Sequence, residues 1–130
     1  MDTCPFCAIE EVEAVLRNDL AYALFDKHPV NPGHLLILSR RHVPTWFEAS
    51  PEEKSALMSL VEEGKRMLDN HRAPDGYNIG INVGDVAGQT VMHLHVHLIP
   101  RYRGDVENPR GGVRGVVPAR QSYPTEGEQS

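Results

Sequence analysis

The chain has 130 residues, of which 40% are hydrophobic and 24% charged. That length suits one domain whose core needs no disulfide or metal merely to form. Thirteen basic residues against eighteen acidic give a net charge of −5, which argues against nucleic acid or an anionic membrane as the main partner. No apolar run, residues 35–38 included, approaches the ~20 residues of a membrane helix. The first residues do not read as an export leader. Two cysteines are too few for a disulfide scaffold, so a cytoplasmic, reducing location is expected.

Residues 12–18 and 20–25 read as two short strands, with Asn18-Asp19 as the turn between them. The run from Pro29 to Gly33 is a turn-forming break, and 34–39 reads as a buried strand. One long helix follows. Ser50 is its N-cap, Pro51 its first residue, and Glu53 completes a capping box. Leu57, Leu60, Val61, Gly64, Met67 or Leu68, and His71 then recur on one face. Ala73-Pro74-Asp75-Gly76 stops the helix.

Residues 77–83 form a further strand, 84–88 a loop, and 91–100 the last strand. Beyond Arg103 glycine and proline dominate, and the residues after Tyr123 are expected to be disordered. Hairpin-ordered strands with one long helix predict an α+β layer, an antiparallel sheet with the helix on one face. Residues 101–120 carry five arginines against Asp105 and Glu107. Such a strip suits phosphates if it lies beside a site, and a solvated loop face otherwise.

The chemistry concentrates in His93-Leu94-His95-Val96-His97-Leu98-Ile99. Alternate residues of a strand share a face, which groups the imidazoles on one side and Leu94, Val96 and Leu98 on the core side. Core packing does not account for such a row, because buried imidazoles need hydrogen-bond partners. Two chemistries fit: metal binding, or attack on phosphorus by a neutral imidazole whose neighbours donate to phosphate oxygens. The preceding Gly84–Gly88 stretch offers backbone N–H groups, and Gln89 and Thr90 add side-chain donors, which favours an anion site.

The stretch from Gly88 to Ile99 resembles the signature of the histidine triad superfamily, His-φ-His-φ-His-φ-φ with φ apolar. Asp26, Pro32-Gly33-His34, Arg40-Arg41-His42 and the opening Cys4-Pro5-Phe6-Cys7-Ala8-Ile9 match upstream in the same order, so the resemblance runs from residue 4 to about 101. It is that of bacterial diadenosine-polyphosphate hydrolase-like members. It implies a five-stranded antiparallel sheet with one long and one short N-terminal helix, often joined as a homodimer with a ten-stranded sheet. It divides the chain into a triad domain, 1–103, and a partly disordered Gly/Pro/Arg-rich extension, 104–130.

The family cleaves or transfers at a nucleotide α-phosphate. By resemblance His95 is the nucleophile that becomes nucleotidylated, His97 holds α-phosphate oxygens, and His34 supports the triad from a buried position. Gln89 and Thr90 match phosphate or leaving-group ligands, and Asn82 matches an amide near the ribose and phosphate. Asp26 matches the acceptor for ribose hydroxyls, and Phe6, Ile9 and Leu24 line the purine pocket. Asn82 stands where the fragile-histidine-triad branch has glutamine.

Cys4-x-x-Cys7 is half of a tetrahedral zinc site, against the alternatives of a redox pair or two small buried residues. In similar bacterial proteins the set is completed at the positions of His42 and His93, which implies a structural Zn²⁺. The resemblance leaves three readings of function: a nucleotidyl hydrolase or transferase acting on a purine nucleotide or dinucleotide, a non-catalytic nucleotide-binding or scaffold protein, and a metallohydrolase with an ion across the triad.

Overall fold

The computed structural model describes residues 4–7 and 9–124. The expectation of disorder after Tyr123 falls, from residue 125 onward, outside the described residues. A short helix α1, Glu10–Glu13, precedes strand β1, Leu16–Arg17. Strands β2, Ala21–Phe25, and β3, Leu35–Ser39, follow, then the long helix α2, Pro51–Arg72, and strands β4, Gly76–Gly80, and β5, His95–Arg101. They form one antiparallel sheet in the order β1-β2-β3-β5-β4. No helix among the described residues is long and apolar enough to cross a membrane.

Strands β2 and β3 occupy the sheet interior and are buried on both faces, which is why they read as unbroken apolar runs. Ala21, Ala23, Leu35, Ile37, Val96 and Leu98 face α2 and meet Leu57, Leu60 and Leu68 there. Each fully buried leucine contributes roughly 1.5–3 kcal/mol relative to exposure. Gly64 sits at the closest approach: a Cβ there would lie 2.9 Å from Leu35 Cδ1 and 3.1 Å from Leu98 Cδ2. On the opposite face Tyr22, Leu24, Leu36 and Leu38 form a smaller cluster covered by Phe6, Ile9 and Ala14.

The capping box forms as expected: Ser50 accepts from the Glu53 N–H, and the Glu53 carboxylate accepts from the Ser50 N–H. Arg41 adds two hydrogen bonds to that carboxylate and, ahead of burial, holds Glu53 down at about 2. His71 departs from the expected stripe and is exposed at the last turn.

Three strands differ from expectation by more than one residue at an end. Residues 12–18 contribute the end of α1 and only the short β1, because the Ala14 N–H still donates to Glu10 O and Val15 is the first residue to bond β2. Strand β4 ends at Gly80, leaving Ile81 and Asn82 in the connection. Strand β5 starts at His95, not at residue 91, because the Leu94 N–H donates to Val43 O in the β3–α2 connection rather than along the sheet. From His95 to Arg101 burial then alternates strictly, with Val96, Leu98 and Pro100 buried toward the helix side and His95, His97, Ile99 and Arg101 half-buried on the other.

The extension beyond Arg103 is structured through Tyr123. A 3-10 turn, Gly112–Val116, folds back beside β4, and a second, Pro118–Arg120, packs on the first. The arginine strip is largely committed to this fold. Arg101 pairs with Asp105 at 2.7 Å and donates to Asn78, and Arg110 and Arg114 stack on Tyr123.

Candidate active site

Two registers place the histidines. Leu38 pairs with His95 and Leu36 with His97 across β3–β5, and Gly80 pairs with His97 across β4–β5. His95 and His97 therefore stand side by side on the face away from α2, their ring centroids 5.2 Å apart.

The His95 Nδ1–H donates to the His93 carbonyl at 2.7 Å, since a carbonyl only accepts. That leaves Nε2 of His95 as a lone pair. The next ring carries the opposite tautomer. The Val30 N–H donates to His34 Nδ1 at 3.0 Å, so His34 holds its proton on Nε2 and donates to His97 Nδ1 at 2.9 Å. His97 then presents an Nε2–H. Burial, and after it the neighbouring His95 and His34 rings, push His97 down to about 4, and burial lowers His34 as well. Both rings are neutral at pH 7, which this proton order requires. Asp26 Oδ2 lies 3.6 Å from His34 Nε2, and its Oδ1 accepts from the His28 N–H at 2.8 Å.

His95 and His97 line a cleft of ≈ 520 Å³. Phe6, Ile9 and Leu24 form its apolar end, and Asp26, Asn82 and Thr90 its polar rim. Phe6 meets the His95 ring edge-on at 5.3 Å. Its carbonyl accepts from the Tyr22 hydroxyl, which burial keeps protonated by raising it to about 12. His34 is buried behind His97 and does not line this cleft.

Gln89 has a different position from the one its sequence context suggests. It is only 3% exposed, and its amide donates to Pro44 O and Val91 O while accepting from the Gly84 N–H. Its side chain braces the loop before β5 and does not reach the cleft. His28 and Lys27, not among the site residues expected from sequence, also line the cleft. Their only sequence signal is adjacency to Asp26.

His93 turns toward the N-terminus. It is fully buried, its Nε2–H donates to Ser39 O at 2.7 Å, and its Nδ1 lies 3.4 Å from Cys4 Sγ and 3.5 Å from Cys7 Sγ. Cys7 Sγ is 3.0 Å from His42 Nδ1. The four potential ligand atoms lie within 4.8 Å of one another. A tetrahedral zinc with sulfur at 2.3 Å and nitrogen near 2.05 Å spaces its ligands by about 3.6 Å. Fixing Nε2 on a carbonyl leaves Nδ1 as the ligating atom, the usual support for a metal-bound histidine. The donor set fits structural zinc.

Residues 10–104 match the HIT domain. The chain belongs to the HIT domain family. This HIT protein is 37% identical over 102 residues to an AP-4-A phosphorylase of Mycobacterium tuberculosis, covering 78% of this chain and 52% of the relative. It therefore spans about half the length of that protein. It is 36% identical over 100 residues to a bis(5'-adenosyl)-triphosphatase of Dictyostelium discoideum, covering 77% and 67% of the two chains. The crystal structure of a Zn-bound histidine triad family protein from Mycobacterium smegmatis superposes with a TM-score of 0.73 at 30% identity, covering 82% of this chain and 80% of the other.

Proposed function

We propose that this HIT protein is a nucleotidyl hydrolase or transferase that cleaves at the α-phosphate of a purine nucleotide derivative, with a dinucleoside polyphosphate as the leading substrate class. The single observation that carries this reading is the Nδ1–H bond of His95 to the His93 carbonyl, which leaves the Nε2 lone pair on a ring lining the cleft. The names of the two relatives, a phosphorylase and a triphosphatase of adenosine dinucleotides, support the substrate class.

In the first step His95 Nε2 attacks the α-phosphorus, a P–N bond forms, and the P–O bond to the leaving group breaks with its electron pair staying on the leaving oxygen. In the second, water attacks phosphorus, the P–N bond breaks, and a nucleoside monophosphate and a proton leave. Splitting one displacement into two lowers each barrier. The His97 Nε2–H donates to a non-bridging oxygen and strengthens as charge develops there. Thr90 and Asn82 face the same phosphate from the rim, Asp26 accepts from the ribose, and the purine lies against Phe6, Ile9 and Leu24. Gln89 acts by holding the loop that carries Thr90.

Cys4, Cys7, His42 and His93 hold a structural zinc in this reading, which also calls for a reducing compartment such as the cytoplasm. Strand β4 is an edge of the sheet, and pairing of two such edges supports a homodimer. A second reading, a divalent cation on Asp26, His34 and His97, rests on their ligand atoms lying within 4.8 Å. It requires breaking the His34–His97 hydrogen bond.

Turnover of diadenosine tetraphosphate tests the choice. His95→Ala is expected to lower kcat by on the order of 10³-fold or more, as removal of a nucleophile does, with nucleotide binding retained. Full activity of His95→Ala, lost on chelation, favours the cation reading; binding without turnover in the native protein favours a scaffold.

A further inference from the structure

The Cys4–Cys7 stretch serves two sites at once. Its turn is closed by the Cys7 N–H on Cys4 O at 3.3 Å. Between the thiols, Pro5 and Phe6 line the nucleotide cleft. The Phe6 ring meets His95 edge-on at 5.3 Å and His93 at 6.1 Å. A wall of the base end of the cleft is therefore carried by the two thiols of the proposed zinc site.

The two sites depend on those thiols unequally. Cys4 Sγ and Cys7 Sγ lie 3.4 and 3.5 Å from His93 Nδ1, and Cys7 Sγ lies 3.0 Å from His42 Nδ1. Helix α1, which follows the stretch, is four residues long and too short to hold it by itself. His93, by contrast, is anchored from elsewhere. Its Nε2–H donates to Ser39 O at 2.7 Å, and the adjoining Leu94 N–H donates to Val43 O at 2.8 Å. The His93 carbonyl that accepts the His95 proton thus keeps its place without the thiols, whereas Phe6 is positioned through them.

Both cysteines are only half-buried, so a small oxidant reaches them, and their sulfurs lie within 4.8 Å of each other. We propose that Cys4 and Cys7 are a reversible oxidation site for a small hydroperoxide, and that closing their disulfide releases Phe6 and weakens nucleotide binding. One thiolate attacks a peroxide oxygen, the O–O bond breaks, and the sulfur becomes a sulfenic acid while the departing hydroxide takes a proton to leave as water. The second thiolate attacks that sulfur, the S–S bond forms, the S–O bond breaks, and a second hydroxide is protonated to water. The thiolates lose two electrons and the peroxide gains them. His42 and His93 are then half of a tetrahedral set, too few to retain zinc. The proposal rests on the purine lying against Phe6 and on the thiols serving the zinc.

The test titrates zinc-loaded protein with hydrogen peroxide. It follows zinc freed to a chromogenic chelator, the mass of the peptide holding both cysteines, the affinity for adenosine monophosphate, and turnover of diadenosine tetraphosphate. Zinc release is expected to rise together with a peptide about 2 Da lighter, the mass of the two hydrogens lost. Nucleotide affinity is expected to fall about tenfold, the scale of one lost aromatic contact. KM is expected to rise while kcat stays within about twofold, because lost ground-state binding leaves the chemical step alone. Dithiothreitol with zinc restores the starting values. Phe6→Ala is expected to begin at the weaker affinity and not to respond to peroxide. A disulfide that forms with nucleotide affinity unchanged overturns the coupling and leaves the cleft and zinc readings intact. Thiols that stay reduced with zinc retained overturn the oxidation site alone. Reduced, loaded protein that binds no adenosine monophosphate overturns the purine reading and this proposal with it, and protein that takes up no zinc does the same for the zinc reading.

Discussion

Two neighbouring imidazoles of one strand carry opposite tautomers because their Nδ1 atoms meet opposite partners, a carbonyl at His95 and the His34 donor at His97. That proton order suits the proposed roles, His95 as nucleophile and His97 as phosphate donor, before any substrate arrives. Long-range ¹H–¹⁵N correlation of the native protein is expected to show Nδ1–H at His95 and Nε2–H at His97; the reverse pattern at either ring contradicts the assignment. His34→Leu removes the donor that orients His97, and kcat is expected to fall by about 10²-fold, the scale of a lost oxyanion donor. The depressed His97 also gives a signed pH effect. Its ordinary value is 6.5 and its folded value about 4, so the unfolded chain takes up a proton first as pH falls. The associated stability is full above 6.5 and is lost as pH drops through 4. The depressed Glu53 adds the same sign at lower pH: its contribution is full above 4.5 and lost toward 2. Unfolding midpoints in urea are expected to decline from neutral pH downward and less so in Glu53→Gln below pH 4.5; midpoints rising through that window contradict both.

At the scale of elements, α2 packs behind β5, the strand that carries His95 and His97. Gly64→Ala gains helix propensity but forces a methyl against the buried Leu35 and Leu98 side chains. A net loss of about 1–2 kcal/mol is expected, read as a lower urea midpoint at unchanged m-value; an unchanged or higher midpoint contradicts the close packing. This helix was legible in the sequence because cap, proline and stripe coincide within it. The paired His95 and His97 were legible too, since period-two alternation survives from residue 95 to 101. Strand limits were not, because Leu94 continues the apolar alternation while its N–H has already left the sheet for Val43. Gln89 misled for a related reason: a polar side chain in a glycine-rich loop reads as a ligand, and only the three-dimensional loop reveals Pro44 O beside it. The start of the extension was opaque, since Asp105 is held by Asn31, a distant partner that no local pattern announces.

Across the whole molecule, the N-terminal Cys4–Cys7 segment and the extension through residue 121 converge on one strand. The N-terminal cysteines reach His93 and carry Phe6 against His95, while the extension walls the far side of His97. Protein purified without added metal is expected to hold one zinc per chain, and chelation or Cys4→Ser to lower Tm by several degrees, as loss of a site coupled to folding does. Metal-free protein with native Tm contradicts the zinc assignment. The proposed function turns on one event, nucleotidylation of His95. The most direct measurement mixes the protein with excess diadenosine tetraphosphate, quenches early in base, and locates any added mass by peptide mass spectrometry. With His95 as nucleophile, one adenylyl group is expected on the peptide containing His95, decaying as adenosine monophosphate appears. Turnover with no adduct at any time, or an adduct that persists in His95→Ala, contradicts it.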